Sequence, residues 1–384
     1  MEFKITNANL NKKIRDTLRL FGIANYRYRT YLWEVGYSGG KDSTVVVHLL
    51  LDFILRSLKK GKKLPKKIFI LYSDTLLDIP ILRETALSTL EAINEFARKN
   101  NIDHIIEARA LKPKVGEDFF SCMIDRGYPV PHHRFRWCIP RLKIRPVQIF
   151  LAEALSSDEY DGLLNISGIR LNESSERNRL LNKRFDKKKK KLSPFLQDGD
   201  IVMFAPIFRW TTNDVWSFLY NNNPLWGGSY NNLIDAYRIA DTLDFACTKE
   251  CKLAPTARFG CWVCTVIKKD KTLENIFKNT NNDGIRFLND MKENIRDISG
   301  EPKYRERVNG RFRSLNTLGR LKIIEIIAKV VIKAPEGLKG YLEDQRFRSL
   351  LVKWFEKYLK MADSSWTEYE DVVDALERIK TGQV

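Results

Sequence analysis

A glycine-rich turn between an apolar segment and the start of a helix is the feature that most constrains the fold of this chain. The turn has the sequence SGGKDS over residues 38–43 and follows the apolar segment Leu32–Tyr37. A strand that leads through a tight turn into a helix points backbone N–H groups and the positive end of the helix dipole at an anion. Gly39 and Gly40 carry no Cβ, so the backbone can approach a phosphate closely. The segment therefore predicts a phosphate-binding loop in an α/β fold.

The side chains of this turn suit the same anion. Lys41 adds a mobile positive charge, and Ser38 and Ser43 add hydroxyl donors. The turn is not a Walker A loop, which has four residues between its first glycine and its Gly-Lys pair. An ordinary strand-to-helix turn with a stray lysine is the alternative, but it does not explain why all these residues fit one role.

The first half of the chain alternates between short apolar segments and longer amphipathic ones, a pattern typical of parallel β-α-β units. Strands are predicted over residues 32–37, 67–72, 104–108 and 163–169, and helices over 42–58, 80–99 and 142–155. Ligands of such sheets bind at the carboxyl ends of the strands. The turn at 38–43, Ser73 to Thr75, and Gly168 to Arg170 all follow strands, so we expect them to meet at one site.

Length and charge indicate the organisation of the chain and the kind of partner. The 384 residues suffice for several domains, and we predict a nucleotide-binding domain over 1–235, a four-cysteine segment over 236–300 and a helical basic region over 301–384. A net charge of +18 favours a polyanionic partner such as nucleic acid. The sequence has no apolar leader and no apolar run long enough for a membrane span, so we expect a cytoplasmic protein.

Two basic parts of the sequence are candidates for contact with nucleic acid. Residues 187–191 are five consecutive lysines within a polar stretch, 172–200, that we predict to be a long mobile loop. Beyond residue 300, basic residues accumulate, and aromatic residues such as Phe347, Trp354 and Tyr358 are interleaved with them. An amphipathic helix with a solvated basic face and an aromatic core face is the alternative, and the sequence leaves both open.

Four of the six cysteines form a compact group. Cys247 and Cys251 are separated by three residues and Cys261 and Cys264 by two, so four thiols fall within eighteen residues. Thiolates select zinc or an iron–sulfur cluster, and a four-cysteine site serves either. Four unrelated buried cysteines are the structural alternative.

Cys138 is a separate candidate because it lies among basic residues, including Arg136 and Arg141. Nearby cations lower the pKa of a thiol and favour the thiolate. Cys138 is predicted to be a persulfide carrier, a distant cluster ligand or a buried structural thiol, and the sequence leaves these roles open. Cys122 is expected in the core.

The chain resembles the phosphoadenosine-phosphosulfate (PAPS) reductase family of the ATP pyrophosphatase (PP-loop) superfamily. The turn at 38–43 is similar to the pyrophosphate loop of that superfamily, and four further segments resemble family elements in the family's order. They are Y-S-D-T at 72–75, R-W-C with L-K at 136–143, G-I-R with E-S and R at 168–177, and P-I with W-T and D-V-W at 206–216. This resemblance covers about residues 25–220 and implies a parallel-sheet nucleotide-binding fold of the adenine nucleotide alpha hydrolase type.

The cysteine pattern resembles one branch of the family. Residues 258–265, R-F-G-C-W-V-C-T, are similar to a signature of DndC, the DNA phosphorothioation protein, and of its SspD relatives, in which these cysteines are associated with a [4Fe–4S] cluster. True PAPS reductases have a catalytic cysteine near the C-terminus, whereas no cysteine follows Cys264 here. The adjacent cysteine pair of the adenylylsulfate reductases is also missing from the sequence. Both differences favour the DndC branch.

This resemblance implies an ATP pyrophosphatase that adenylates a DNA backbone phosphate for sulfur insertion. The turn at 38–43 would hold ATP and the leaving pyrophosphate, and Mg²⁺ would bind Asp42 or Asp74. The implied catalytic residues are Lys41, Asp42, Asp74, Cys138 and Arg170, and further ATP-binding residues are Ser73, Thr75, Gly168 and Arg177. A cysteine desulfurase would donate sulfur as a persulfide, alongside other proteins of the phosphorothioation system.

Three other functions stay open at this point. A tRNA thiolase applies the same adenylation to a carbonyl oxygen, and a PAPS or adenylylsulfate reductase-like enzyme acts on activated sulfate. A nucleic-acid-binding module with a Zn²⁺ knuckle and a degenerate nucleotide loop is the alternative that is not an enzyme. The intact turn at 38–43 argues against that module.

Overall fold

The computed structural model describes residues 8–157, 159–171, 193–240, 259–267, 270–362 and 366–384. Several residues of the sequence predictions therefore lie outside the described part of the chain. These are Arg177, the lysines at 187–191, Cys247 and Cys251.

A six-stranded sheet forms the centre of the first half of the chain. Its strands are β1 (Leu32–Tyr37), β2 (Ile68–Ser73), β3 (Ile106–Leu111), β4 (Leu163–Ile166), β5 (Phe195–Asp198) and β6 (Ile201–Phe204). The spatial order is β3-β2-β1-β4-β6-β5, with every neighbouring pair parallel except β5 and β6. The order turns back between β1 and β4, and a crevice opens at such a point beyond the carboxyl ends of the strands. The predicted α/β class with a parallel sheet is confirmed.

Helices cover both faces of this sheet. They are α1 (Ala8–Tyr28), α2 (Lys41–Lys59), α3 (Pro80–Lys99), α5 (Arg145–Ala154), α6 (Thr212–Asn221) and α7 (Asn231–Ala240). The short helix α4 (Phe119–Ile124) instead packs with the C-terminal region. Local signals in the sequence fix several ends. Pro80 starts α3, and a reciprocal capping box between Thr211 and Asp214 starts α6.

The two faces of the sheet are packed differently. On one face Trp33, Val35 and Tyr37 join a large apolar cluster with α1, α2, α3, α6 and α7. On the other face the described residues form a small cluster, in which Phe69 and Leu71 pack against Leu151 of α5. The small cluster leaves room on that face near the carboxyl ends of the strands.

The C-terminal region is mostly helical, as predicted. It contains α8 (Lys271–Thr280), α9 (Asp283–Gly300), β7 (Arg305–Val308), β8 (Arg311–Leu315), α10 (Thr317–Lys333), α11 (Lys339–Leu342), α12 (Gln345–Met361) and α13 (Tyr369–Thr381), with 3₁₀ turns at Pro302–Tyr304 and Pro335–Leu338. One apolar cluster joins these helices to α4 and to Trp262, whose indole nitrogen donates to the carbonyl oxygen of Gly337 at 2.8 Å. The predicted domain boundaries stay predictions.

The structure corrects two expectations and decides a third point that the sequence left open. The stretch 172–200 is not a loop to its end, because β5 occupies Phe195–Asp198 and pairs with β6. The helix predicted over 142–155 is a π-helical turn, Ile139–Ile144, followed by α5, with Pro140 and Pro146 at the two starts. The aromatic residues Phe347, Trp354 and Tyr358 are fully buried, so α12 is an amphipathic helix with an aromatic core face. None of the described helices is long and apolar enough to cross a membrane.

Candidate active site

The turn at 38–43 folds tightly onto the start of α2. Gly39 has a φ of +70°, and a Cβ there would lie 3.0 Å from the Cβ of Ala86, so this position requires glycine. The Ser43 hydroxyl accepts from the backbone N–H of Ser38 at 3.2 Å and donates to the carbonyl oxygen of Gly40 at 2.9 Å. The hydroxyls of Ser38 and Ser43 are 3.2 Å apart. Both serines therefore converge on one point beside the helix start.

The start of α2 makes no side-chain cap, because its N-cap residue is Gly40. The phenol oxygen of Tyr237, on α7, accepts from the backbone N–H of Lys41 at 3.3 Å, and the Lys41 ammonium lies 5.2 Å from the centre of the same ring. A Cβ on Gly40 would lie 3.3 Å from that phenol oxygen. Tyr237, which the sequence prediction missed, thus covers the turn from a distant part of the chain.

Arg170 and Lys41 share the carboxylate of Asp42. The Arg170 guanidinium, only 3% exposed, donates from Nε to Asp42 Oδ1 at 2.6 Å, and Lys41 Nζ lies 3.2 Å from Asp42 Oδ2. Gly168 allows this approach, because a Cβ there would lie 3.0 Å from the Asp42 carbonyl carbon. Arg170 also donates to the hydroxyl of Thr212 at 3.3 Å. The structure thus brings the predicted residues of the first and fourth strand ends together.

The segment after β2 is organised by a buried ion pair. Asp74 is fully buried, and its two carboxylate oxygens accept from Nε and Nη2 of Arg83 at 3.0 and 2.9 Å. Leu76 follows with a φ of +69°, and its backbone N–H donates to Asp74 at 2.9 Å. The hydroxyl of Ser73 donates to the carbonyl oxygen of Lys143 at 2.9 Å. Asp74 and Ser73 therefore fix the local structure beside the turn.

A cavity of about 380 Å³ lies between this turn, the ends of β1 and β2, and the start of α5, within the usual size range of small-molecule sites. It is lined by Glu34, Gly36, Tyr37, Ser38, Gly39, Gly40, Leu71, Tyr72, Ser73, Asp78, Leu82, Lys143, Val147, Tyr237, Phe259 and Gly260. Four of these, Ser38, Gly39, Gly40 and Ser73, were predicted from the sequence. Leu71, Leu82 and Val147 give the cavity an apolar wall.

Glu34 is a buried carboxyl in the wall of this cavity. It lies in the middle of β1, pairs in register with Asn165 of β4 and accepts a hydrogen bond from the Asn165 amide. Burial raises the pKa of Glu34 to about 8, and the hydrogen bond from Asn165 opposes that rise. The apolar pattern of β1 predicted a strand but gave no sign of a site residue inside it.

Three thiols lie near Lys143 at one side of the cavity. Cys261 donates to Asp78 Oδ1 at 3.4 Å and lies 3.2 Å from the hydroxyl of Thr75. The pKa of Lys143 is raised, with Cys261 as the largest cause and Asp78, Cys138 and Cys264 acting in the same direction. Burial is the largest cause that raises the pKa of Cys261 itself, and Asp78 adds to the rise, so this thiol keeps its proton and donates it to the carboxylate. The backbone N–H of Cys264 donates to the carbonyl oxygen of Cys261 at 3.0 Å, which closes a tight turn.

The expectation of a lowered pKa at Cys138 is wrong, although one neighbouring cation acts in the expected direction. Burial raises the pKa of this thiol, the neighbouring Cys264 adds to the rise, and Lys143 only partly offsets it. Burial likewise raises the pKa of Cys122, to about 11, in the core position predicted for it. Within the described residues, no group of three or more His, Cys, Asp or Glu side chains is arranged to hold a metal ion. The four-cysteine centre stays a prediction, since two of its cysteines lie outside them.

Comparison with known proteins places these observations in a family. The phosphoadenosine phosphosulfate reductase domain family matches residues 34–267, which is more than half of the chain. An uncharacterized protein of Methanocaldococcus jannaschii is 27% identical over 207 residues, which are 54% of this chain and 39% of that protein. The chain thus spans well under half of the length of this relative.

Two solved structures show a weaker likeness. PAPS reductase from Candida auris, a phosphate complex, is 14% identical, with 61% of this chain and 94% of that chain covered and a TM-score of 0.35. FMN adenylyltransferase from Candida glabrata, with FAD and inorganic pyrophosphate, is 16% identical, with 62% of each chain covered and a TM-score of 0.33.

Proposed function

Because this chain belongs to the phosphoadenosine phosphosulfate reductase domain family, we propose that it is an ATP pyrophosphatase that adenylates a DNA backbone phosphate for sulfur insertion. The observation that carries the proposal is the turn at 38–43, where two hydroxyls, a lysine and an uncapped helix start converge beside a cavity. The net charge of +18 supports a nucleic-acid substrate.

Adenylation solves a chemical problem of sulfur insertion. Oxide is too poor a leaving group to be expelled from a phosphate, whereas AMP on the same oxygen is a good one. The phosphate oxygen would attack the α-phosphorus of ATP, and the bond to the bridging oxygen would break and release pyrophosphate. The outer sulfur of a persulfide, supplied by a cysteine desulfurase of a DndC/SspD-like phosphorothioation system, would then attack the phosphorus and displace AMP. A second thiol would attack the cysteine-side sulfur of the resulting P–S–S–Cys link, which releases the phosphorothioate and leaves a disulfide.

The described residues fit the ATP substrate. Ser38, Ser43 and the backbone around Gly39 would hold the pyrophosphate group, and Lys41 would neutralise the charge that develops on it. The apolar wall suits an adenine ring, and Arg170 lies where it would contact a phosphate next to Asp42. Mg²⁺, when bound, would neutralise phosphate oxygens. Asp42, whose side chain is 17% exposed, is a better ligand than Asp74, which is fully buried.

The cysteines carry the second half of the proposal. Cys261 and Cys264 lie in one tight turn beside the cavity. With Cys247 and Cys251 they would hold a [4Fe–4S] cluster, or Zn²⁺ as the alternative, since four thiolates suit either. Cys138 packs against the same apolar cluster as Cys261, and it would serve as a further ligand or as the carrier of a persulfide.

The products of ATP cleavage test the proposal. The purified protein should convert ATP to AMP and pyrophosphate with Mg²⁺, and Lys41→Ala should lower the rate about a hundredfold, since a charge-assisted contact contributes roughly 2–3 kcal/mol. Lys99→Ala, at an exposed position on α3, is the matched control and should retain the rate. Release of ADP and orthophosphate would refute the proposal.

Mass spectrometry of nucleosides separates the proposed function from its alternatives. Cells that contain the chain and its partner proteins should yield phosphorothioate-linked dinucleotides from DNA, and cells with Lys41→Ala should not. Thiolated tRNA bases without DNA phosphorothioates would instead support the tRNA thiolase.

A further inference from the structure

A short antiparallel hairpin, formed by β7 and β8, projects from the C-terminal region. Asn309 and Gly310 connect the strands, with φ values of +50° and +75°, as in the tight turns that favour Asn-Gly. All residues from 306 to 313 are exposed. Among the described residues, the sheet contains only these two strands, and the residues near the turn are exposed.

The hairpin is strongly basic. Its strands contain Arg305, Arg307, Arg311 and Arg313 against one acidic residue, Glu306. Phe312 is paired in register with Arg307, whose guanidinium lies 6.0 Å from the centre of the ring. Phe312 and Val308 are 47% and 42% exposed, which places apolar surface among the arginines.

The base of the hairpin is firmly held, in contrast to its exposed end. Leu315 is fully buried, and its backbone N–H donates to the carbonyl oxygen of Gly127 at 2.6 Å. Asn316 directly follows, caps α10 and donates from its backbone N–H to Tyr304 at 3.0 Å. The direction of the hairpin is therefore fixed by the body of the protein.

A two-stranded hairpin is only marginally stable by itself, and four arginines on it repel one another. Such a surface is stabilised most by a polyanion whose negative charges lie between the arginine side chains. The major groove of B-form DNA admits a two-stranded ribbon, with phosphates along both edges and guanine acceptors at its floor that arginine recognises. The major groove of A-form RNA is too narrow and deep for the same fit.

We propose that the β7–β8 hairpin inserts into the major groove of duplex DNA. The side chains of Arg307, Arg311 and Arg313 contact the DNA, and Phe312 packs between arginine side chains and the groove. This inference rests on the proposed function for its substrate, DNA, and it adds the surface that holds the duplex. The hairpin would orient the DNA by its fixed base, while chemistry takes place at the cavity.

Binding of a labelled duplex by the full chain, measured as fluorescence anisotropy over a range of salt, tests this inference. The triple variant Arg307→Gln, Arg311→Gln, Arg313→Gln should bind at least tenfold more weakly, and the slope of log affinity against log salt should fall by about 2–3, since each lost phosphate contact contributes about 0.9. The control removes the same charge at the end of α2 and just after it, with Lys59→Gln, Lys60→Gln and Lys62→Gln, and should keep the wild-type slope. Equal melting temperatures would show that both variants fold.

A second duplex identifies the groove. DNA whose cytosines carry glucosylated hydroxymethyl groups has sugar in its major groove, and the wild-type chain should bind it as weakly as the triple variant binds plain DNA. Equal wild-type affinity for both duplexes, or a triple variant that behaves like its control, would overturn the inference. Tighter binding of duplex RNA, or of anionic lipid vesicles, would also overturn it. The proposed function is tested separately, because it fails if ATP is not cleaved to AMP and pyrophosphate, whatever the anisotropy shows.

Discussion

Replacing Glu34 by glutamine should make the protein more stable at alkaline pH. Burial raises the pKa of this carboxyl from its ordinary value of 4.5 to about 8. Between these two values the folded chain keeps a proton that the unfolded chain has lost. Stability therefore falls as pH rises through this window, because the unfolded state binds fewer protons. Glu34→Gln removes the titration but keeps the shape and a hydrogen-bonding partner for Asn165.

The size of the effect follows from the same two pKa values. Each pH unit between the two pKa values corresponds to 1.36 kcal/mol. Titration of Glu34 would therefore lower the free energy of unfolding of the wild type by at most about 5 kcal/mol at pH values above 8. Relaxation of the cavity wall and entry of water reduce this, so we expect a gain of about 2–4 kcal/mol for the variant at high pH. Below pH 4.5 the carboxyl is protonated in both states, so wild type and variant should differ little.

Urea unfolding at a series of pH values measures this difference. The control is Glu91→Gln, at an exposed position on α3, whose free energy of unfolding should follow the wild type at every pH. If Glu34→Gln also followed the wild type at every pH, Glu34 would be ionised in the folded protein and the argument from burial would be wrong.

Two further predictions concern neighbours of the cavity. Arg83→Met should lower the free energy of unfolding by about 3–5 kcal/mol in thermal or urea unfolding, because the buried charge of Asp74 loses its partner. Adding Asp74→Asn should recover much of this loss. A loss from Arg83→Met too small to measure would contradict the prediction. Protein purified without oxygen should be brown and contain iron and acid-labile sulfide. Cys261→Ser or Cys264→Ser should remove the colour, because serine is a poorer cluster ligand. A colourless wild type with one bound zinc would support the alternative metal.

The sequence predicted the parts of the fold that depend on local signals. The turn at 38–43 and the bounds of α3 each depend on a few adjacent residues, and both lie where they were predicted. The family elements after β2 and β4 were also predicted to meet the turn, since parallel strands bring their carboxyl ends to one edge. Arg170 and Gly168 do meet it, at Asp42.

The residues that were missed belong to distant contacts. Glu34 is hidden in an apolar strand, and Tyr237 and Arg83 reach the site from helices whose register the sequence does not fix. Helix α1 was not predicted, and β5 was assigned to a polar loop, because an edge strand of four residues has little apolar pattern. The sequence could not tell whether the aromatic residues of α12 face nucleic acid or the core, because tertiary packing decides this, and the structure places them in the core.

The left-handed backbone of Leu76 has a consequence for how distant substitutions would act on the cavity. Gly340 lies against it so closely that a Cβ there would be 2.8 Å from the Cα of Leu76. A leucine with positive φ is strained by about 1 kcal/mol or more, so it tends to relax unless its surroundings oppose that motion. Part of the opposition comes from α11, more than two hundred and fifty residues along the chain from Leu76. Asp74 and Thr75 thus lie next to a strained residue whose backbone is held in place by a distant helix. Substitutions in the C-terminal helices would therefore change the geometry of Asp74 and Thr75 without any substitution at the site itself.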